Sequence, residues 1–298
     1  MRIGLNTRDM AAESASTVWD VIDRMSAHGF ELLLTPALAE LLRNTDRPMV
    51  HAVLDPATPL GPDIDLFVGL GGDGTLLDTV ALVGRSQIPV LGINLGRLGF
   101  LSNVRLDAVD EALLAVKNGR YALQDRSLLE VTDHAALLGT RNFALNEVSV
   151  TKRDTASMVA VHVHLGDDFL NTYWADGLII STPTGSTAYS LSCGGPILHP
   201  TCGALVINPI SPHNLNVRPF VVPDHYTIRL RLEARADRCL LNLDSHGVII
   251  DGHSTVTIRL APFTVKLVQL EDQDFLDTLR TKLNWGLDMR SNRPVGGA

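Results

Sequence analysis

Apolar residues fall at two different spacings along the chain, and the change from one to the other divides it. Near the start, Ile3 to Leu5 forms a short apolar run, and Val18, Val21, Ile22 and Met25 then recur at helical spacing up to Gly29. A second run, Leu32 to Leu34, predicts a strand, and a Pro- and Asp-rich connection follows from Asp55 to Asp63. Asp65 to Leu70 reads as a buried strand that leads directly into Gly71-Gly72-Asp73-Gly74-Thr75. Leu76, Leu77, Val80 and Val83 continue as a helix, and Pro89 to Ile93 as a further strand ending at Asn94-Leu95-Gly96-Arg97-Leu98-Gly99-Phe100-Leu101. Strands and helices alternating at this spacing predict a parallel α/β sheet.

After a helix expected over Ala108 to Val116, the pattern becomes strand-like. Ala144 to Val150, Met158 to Leu165, Thr227 to Leu232, Leu240 to Leu243 and Val256 to Leu260 are apolar or alternate with period two, and no comparable helix separates them. Helical spacing returns only at Phe275, Leu279 and Leu283, within Asp274 to Trp285. The expected layout is an α/β domain over 1–105 and a β-rich, sandwich-like domain over 106–271. A terminal helical segment, 272–298, is expected to pack back on the first, with a loose end around Gly296 and Gly297.

Composition narrows the function. With 45% hydrophobic and 19% charged residues, the 298-residue chain can bury full-sized cores. A formal charge of −8, with only 25 Lys and Arg, disfavours nucleic acid as a partner. No run approaches the roughly 18 apolar residues of a membrane span, and the start is too short in apolar residues for a signal peptide. A cytoplasmic protein is the expectation. Cys193, Cys202 and Cys239 are odd in number and form no Cys-x-x-Cys pair, so neither a disulfide framework nor a zinc site is expected. His199 and His213 read as loop-ordering residues, His162 and His164 as members of a strand face, Asp167-Asp168 as a hairpin turn, and Glu271 to Asp274 as a solvated acidic stretch.

Two segments carry chemistry. In Gly71 to Thr75, glycines after a strand let phosphate oxygens approach backbone N–H groups, and the helix beyond adds its positive end. A carboxylate in such a loop would repel phosphate unless it holds a metal ion or takes a proton from an attacking hydroxyl, so Asp73 is the catalytic candidate. There is no Gly-x-x-x-x-Gly-Lys-Ser/Thr sequence and no Gly-x-Gly-x-x-Gly in its proper context, which disfavours P-loop proteins and nicotinamide-dependent dehydrogenases. The second segment runs from Asp176 through Gly177-Leu178-Ile179-Ile180-Ser181-Thr182-Pro183-Thr184-Gly185-Ser186 and Thr187-Ala188-Tyr189-Ser190-Leu191-Ser192 to Gly194-Gly195-Pro196. Its hydroxyls suit sugars and phosphates, and Tyr189 suits a base.

These two segments, with Asn94 to Leu101, Asn146-Glu147 and Pro209-Ile210-Ser211-Pro212-His213-Asn214-Leu215-Asn216-Val217-Arg218-Pro219, follow the order and spacing of the NAD kinase family. The resemblance covers Ile3 to Trp285. The glycine loop alone is shared with diacylglycerol and sphingosine kinases and resembles that of phosphofructokinases. The resemblance implies in-line transfer of the terminal phosphate of ATP or polyphosphate, assisted by Mg²⁺ or another divalent cation, to the adenosine ribose 2′-hydroxyl of NAD. It also implies a cleft between the domains and a homodimer or homotetramer. Asp73 is then the base or metal organiser, with Gly71, Gly72, Gly74 and Thr75 forming the phosphate loop. Asn146, Glu147, Asp176 and Thr187, Ala188, Tyr189, Ser190, Leu191 and Ser192 match substrate-binding positions. Three positions depart from the pattern. Ala81 stands where many relatives carry Arg, with Arg85 the nearest substitute. Trp174 replaces a basic residue, and His246 follows Asp244-Ser245 where some relatives have Gln; both are counted with the substrate-binding set. A lipid kinase sharing the loop and a non-catalytic NAD(H) sensor are the rival readings.

Overall fold

In the computed structural model, the described residues are 1–8, 15–48, 50–96, 99–102, 104–153, 158–235, 237–271, 274–285, 287–288 and 293–294. Arg97 and Leu98, Asp272 and Gln273, and Gly296 and Gly297 lie outside them. The chain divides into two compact units, residues 1–124 together with 266–298, and residues 125–265.

The first unit is built on β1 (Arg2–Thr7), α1 (Ala15–Ala27), β2 (Glu31–Leu34), α2 (Pro36–Arg43), β3 (Ala52–Val53), β4 (Leu66–Leu70), α3 (Asp73–Val83), β5 (Val90–Asn94), β6 (Val104–Arg105) and α4 (Val109–Lys117). The strands pair in parallel in the order β5-β4-β1-β2-β3, with Leu5 opposite Val68 and Thr7 opposite Leu70. β4 and β5 are buried along their whole length, which is why both read as unbroken apolar runs. The expected spacing of α1 holds, since Val18, Val21, Ile22 and Met25 are all in the core. α2 is an element that the apolar spacing does not predict. Its start is set by Thr35, whose hydroxyl accepts from the Leu38 N–H at 3.4 Å, and by Pro36 in the first turn. The unit runs past 105 because Val109, Leu113 and Val116 of α4 belong to this same core.

The second unit begins within β7 (Tyr121–Val131) and continues with α5 (Ala135–Leu138), β8 (Phe143–Ala144), β9 (Glu147–Lys152), β10 (Val159–Leu165), β11 (Asp168–Ala175), β12 (Gly177–Ser181), a 3₁₀ turn (Thr184–Thr187) and α6 (Tyr189–Ser192). Then follow β13 (Ala204–Ile210), β14 (Phe220–Pro223), β15 (Ile228–Ala234), β16 (Arg238–Leu243), β17 (His246–Asp251) and β18 (Thr255–Leu270). One antiparallel layer has the order β11-β10-β15-β18 and the other β14-β13-β12-β9-β16-β17. Val161, Leu230 and Ile258 from the first layer share a core with Val150, Ile180, Ile207 and Leu241 from the second, the packing of a β-sandwich. The expected strand over Ala144 to Val150 is two strands, β8 and β9, interrupted at Leu145-Asn146. Gly166 and Asp167 form the β10–β11 turn. His162 lies on the strand face and bonds Thr172 at 2.8 Å, and His199 bonds Thr201 at 2.7 Å in its loop. The three cysteines are free.

Back in the first unit, α7 (Phe275–Leu283) buries Leu279 and places the Lys282 ammonium 5.8 Å from the Phe100 ring centroid.

Candidate active site

In the first sheet the chain moves from β1 outward to β2 and β3, then returns to β4 on the opposite side of β1. The junction of β1 and β4 is therefore the topological switch point, where the carboxyl ends of neighbouring strands diverge and leave a crevice. Gly71 to Gly74 leave β4 at that point. Gly71 has φ 154°, and a Cβ there would overlap the Thr75 side chain, so this position requires glycine. Gly72 caps α3 without a side-chain bond, and Asp73 is the first helical residue. Beneath the loop a buried polar network fixes it: Asn6 donates to Thr79 at 3.0 Å, Thr79 donates to the Thr75 carbonyl at 2.7 Å, and Thr35 donates to Asn6 at 3.2 Å.

The Asp73 carboxylate is turned to the segment after β5. It accepts N–H bonds from Phe100 at 2.8 Å on Oδ2, and from Leu101 at 3.0 Å and Ser102 at 2.9 Å on Oδ1. Gly99 is a glycine because a Cβ there would overlap this carboxylate. Among the described residues, three of about four acceptor positions are thus filled, and the fourth is on Oδ2. Asp73 therefore ties Gly71–Thr75 to the part of the Asn94–Leu101 segment that is described, a structural tie that spacing alone does not reveal. Arg85 is the nearest basic residue to Ala81 in the sequence. It follows α3 in the turn Gly84–Ser86, about 18 Å along the helix axis from Asp73 at 1.5 Å per residue.

The second unit gathers its residues around Leu145-Asn146-Glu147, the interruption between β8 and β9. Their three N–H groups point at one carboxylate, that of Asp244, at 2.7, 2.8 and 3.1 Å. Asp244 lies in the β16–β17 turn with φ 51° and leads through Ser245 to the half-buried His246. On the other side, the Asn146 carbonyl accepts the Thr182 N–H at 2.9 Å, and Thr182 Oγ1 donates to the Leu145 carbonyl at 2.6 Å. Gly185 packs so closely on the Asn146 backbone that a Cβ would collide with it.

What remains unsatisfied in this cluster is informative. Among the described residues, Asn146 Oδ1 and Glu147 Oε2 are buried without a partner, although buried polar atoms are normally paired. Burial raises the Glu147 pKa, and the Asp244 charge adds to it, while a bond from the Tyr189 backbone N–H opposes them; the result is about 8. Tyr189 is exposed, and burial of its hydroxyl followed by its bond to Cys193 raises its own pKa, with Asp176 and Glu147 contributing at longer range. Asn146, Glu147, Tyr189 and Asp176 are thus neighbours. Asp176 pairs with Lys152 at 2.6 Å.

Not every hydroxyl of the Asp176–Pro196 segment is available to a ligand. Ser181, Thr182, Ser186 and Thr187 bond to nearby backbone, and they shape the turn. Ser190 is fully buried and receives the Asn208 amide at 2.8 Å on its carbonyl and 3.1 Å on Oγ. Ala188, Tyr189, Leu191 and Ser192 are at least partly exposed. Trp174 is exposed on the edge strand β11, and its carbonyl accepts the His213 N–H at 2.9 Å. Asp244, Lys152 and Asn208 join the cluster without being candidates on sequence grounds. For Asp244 a signal exists in the Asp-Ser turn between two alternating strands.

A glycine loop with an inserted carboxylate at the switch point of a parallel sheet, carried together with a two-layer β unit, defines a small-molecule kinase of the Gly-Gly-Asp-Gly class. The chain belongs to the ATP-NAD kinase family: the family's N-terminal domain matches residues 3–121 and its C-terminal domain residues 145–270. An NAD kinase of Christiangramia forsetii is 37% identical over 294 residues, covering 98% of this chain and 100% of that protein. One from Cytophaga hutchinsonii is 46% identical over 227 residues, covering 76% and 78%. Among solved structures, yeast NADH kinase complexed with NADH superposes with a TM-score of 0.83 at 21% identity, covering 98% of this chain and 90% of that one. An NAD kinase from Archaeoglobus fulgidus in complex with ATP superposes with a TM-score of 0.72 at 23% identity, covering 95% and 99%. As a member of this family the chain is an enzyme, a kinase that phosphorylates NAD.

Proposed function

We propose that the chain transfers the terminal phosphate of ATP, or of polyphosphate, to the adenosine ribose 2′-hydroxyl of NAD, with Asp73 receiving the hydroxyl. The observation that carries this reading is the state of the Asp73 carboxylate. Among the described residues, it is pinned at the start of α3 by three N–H bonds and keeps one acceptor position on Oδ2. A carboxylate so held can orient a hydroxyl and take its proton without moving, and positioning is most of what a loose phosphoryl-transfer transition state requires. The Gly71 N–H bonds the Ile93 carbonyl and the Thr75 N–H the Gly72 carbonyl, so within the phosphate loop Gly72 and Gly74 offer backbone to the donor phosphates while Gly71 and Thr75 hold its shape.

In the second unit, Asn146 and Glu147 fit ribose hydroxyls, since a neutral Glu147 carboxyl can donate as well as accept. Tyr189, with Thr187, Ala188, Leu191 and Ser192, suits the faces of the dinucleotide, while Ser190 acts through the shape of the turn. Asp176, His246 and Trp174 complete the substrate-binding set. Among the described residues, no group of three His, Cys, Asp or Glu is arranged to hold a metal ion. A divalent cation such as Mg²⁺ therefore fits best on the donor's phosphate oxygens, with Asp73 as the loop's carboxylate toward it. Bound there, it would offset charge on the transferred phosphoryl group. A cytoplasmic homodimer or homotetramer accompanies this reading and rests on the family likeness. No described helix is long and apolar enough to cross a membrane.

NADP formation from NAD, Mg²⁺ and either donor tests the reading directly. Wild-type turnover with a loss of about 10²–10⁴-fold in Asp73→Asn is expected for a general base. Folded protein that binds NAD but makes no NADP from either donor would instead be a dinucleotide sensor.

A further inference from the structure

The donor's phosphate chain brings several negative charges to a protein that is itself at −8, and the loop it meets contains a carboxylate. Backbone N–H groups carry only partial charge, so a nearby cation is needed for tight binding. Ala81 offers none, and Arg85 lies at the wrong end of α3. Among the described residues, the geometry offers a cation outside both sequence segments.

Arg8 directly follows Thr7, the last residue of β1. Thr7 is in register with Leu70, the last residue of β4, and its hydroxyl donates to the Leu70 carbonyl at 2.9 Å. The end of β1 is thereby fixed beside the start of the glycine loop, at the switch point where such sheets bind ligands. The Arg8 side chain reaches across that junction. Its Nε pairs with Asp78 of α3 at 3.2 Å, and its Nη1 is the group that a methyl on Gly74 would meet, at 2.9 Å. About half of the side chain is exposed. Arg8 therefore stands over the loop residue next to Asp73, oriented by a carboxylate one turn further along α3 and half exposed to solvent.

We propose that Arg8 is a donor-phosphate ligand, its guanidinium held by Asp78 beside Gly74 so that it pairs with the phosphate group presented by the glycine loop. The planar fork of arginine matches phosphate oxygens, and bonding Nε to Asp78 orients the Nη groups for that purpose. Asp78 is then a positioning residue. This inference rests on the glycine loop being the donor site.

The test is steady-state kinetics on the full chain for wild type, Arg8→Ala, Arg8→Lys and Asp78→Asn, varying ATP or tripolyphosphate at saturating NAD, and then NAD at saturating ATP. Loss of a charge-assisted phosphate contact predicts a fall of about 10- to 100-fold in kcat/KM for both donors in Arg8→Ala. The KM for NAD should stay within about two-fold, because the contact is made to the donor alone. Arg8→Lys should recover part of the loss, and Asp78→Asn should give a smaller loss of the same kind. Unchanged donor kinetics in Arg8→Ala, or an equal rise in both KM values, would overturn the proposal. If wild type makes no NADP, the kinase reading fails by itself, and calorimetric titration with ATP still decides for Arg8: equal affinities in wild type and Arg8→Ala overturn it. Should Arg8→Ala unfold, Arg8→Gln keeps the side-chain stem and is subject to the same criteria.

Discussion

At the Asn146-Glu147 pair, three influences set one proton. Burial raises the Glu147 pKa most, the Asp244 carboxylate raises it further, and the Tyr189 N–H works against both, leaving it near 8. The unfolded chain would release this proton near the ordinary value of 4.5. Between those two values the folded protein binds more protons than the unfolded one, so its stability falls as pH rises and levels off above about 8. The total is on the order of a few kcal/mol. Glu147→Gln keeps the shape and removes the titration. The variant should be more stable than wild type at pH 8, and its Tm should vary less from pH 5 to 8. Equal pH slopes in the two proteins would show that Glu147 is ionised throughout. The same deprotonation removes a hydrogen-bond donor, so the wild-type KM for NAD should rise above pH 8.

The turn between β12 and α6 works as an element rather than as a set of ligands. The Ser186 hydroxyl binds the turn's own backbone at Pro183, the Thr182 hydroxyl ties it to the Leu145 carbonyl, and Gly185 seats it against Asn146 so closely that no side chain fits. Gly185→Ala must push the turn and the Asn146-Glu147 segment apart, at a cost of about 1–3 kcal/mol by the usual penalty for overpacking. Thermal unfolding should register that cost, and the KM for NAD should rise with it. A variant with wild-type Tm and KM would mean the turn is free to shift. The sequence marks this segment as unusual by its composition. It does not say which hydroxyls face inward, because Ser190 and Ser192 are identical in sequence terms and differ only in whether Asn208 and the core stand behind them. α2 shows the opposite case. Thr35-Pro36 is a readable start signal, yet the helix is only eight residues long and follows directly on an apolar strand.

For the molecule as a whole, the proposed place of the divalent cation separates catalysis from folding. With the divalent cation placed on the donor's phosphate oxygens, as proposed above, stability is expected not to depend on it. A chelator is expected to stop NADP formation while moving Tm by no more than about 1 °C, in contrast to proteins whose metal is part of the fold. A large fall in Tm would show a structural ion.

The alternation of periodicities in the sequence is enough for the α/β first half and the β-rich second half, since burial on one face or two leaves its period in the side chains. The glycine loop is legible for the same local reason: a strand, a tight turn and a helix start are all encoded within a few residues. The pairing order of the strands is not, and with it goes everything that depends on long-range neighbours. Only the parallel order β5-β4-β1-β2-β3 brings Arg8 to Gly74, 66 positions away in number. Only the β16–β17 turn brings Asp244 to the three N–H groups of Leu145, Asn146 and Glu147, and only the closure of β5 on its following loop occupies Asp73. These contacts are decided by which strand edges meet, and a hydrogen bond between residues tens of positions apart leaves no periodic trace in either segment.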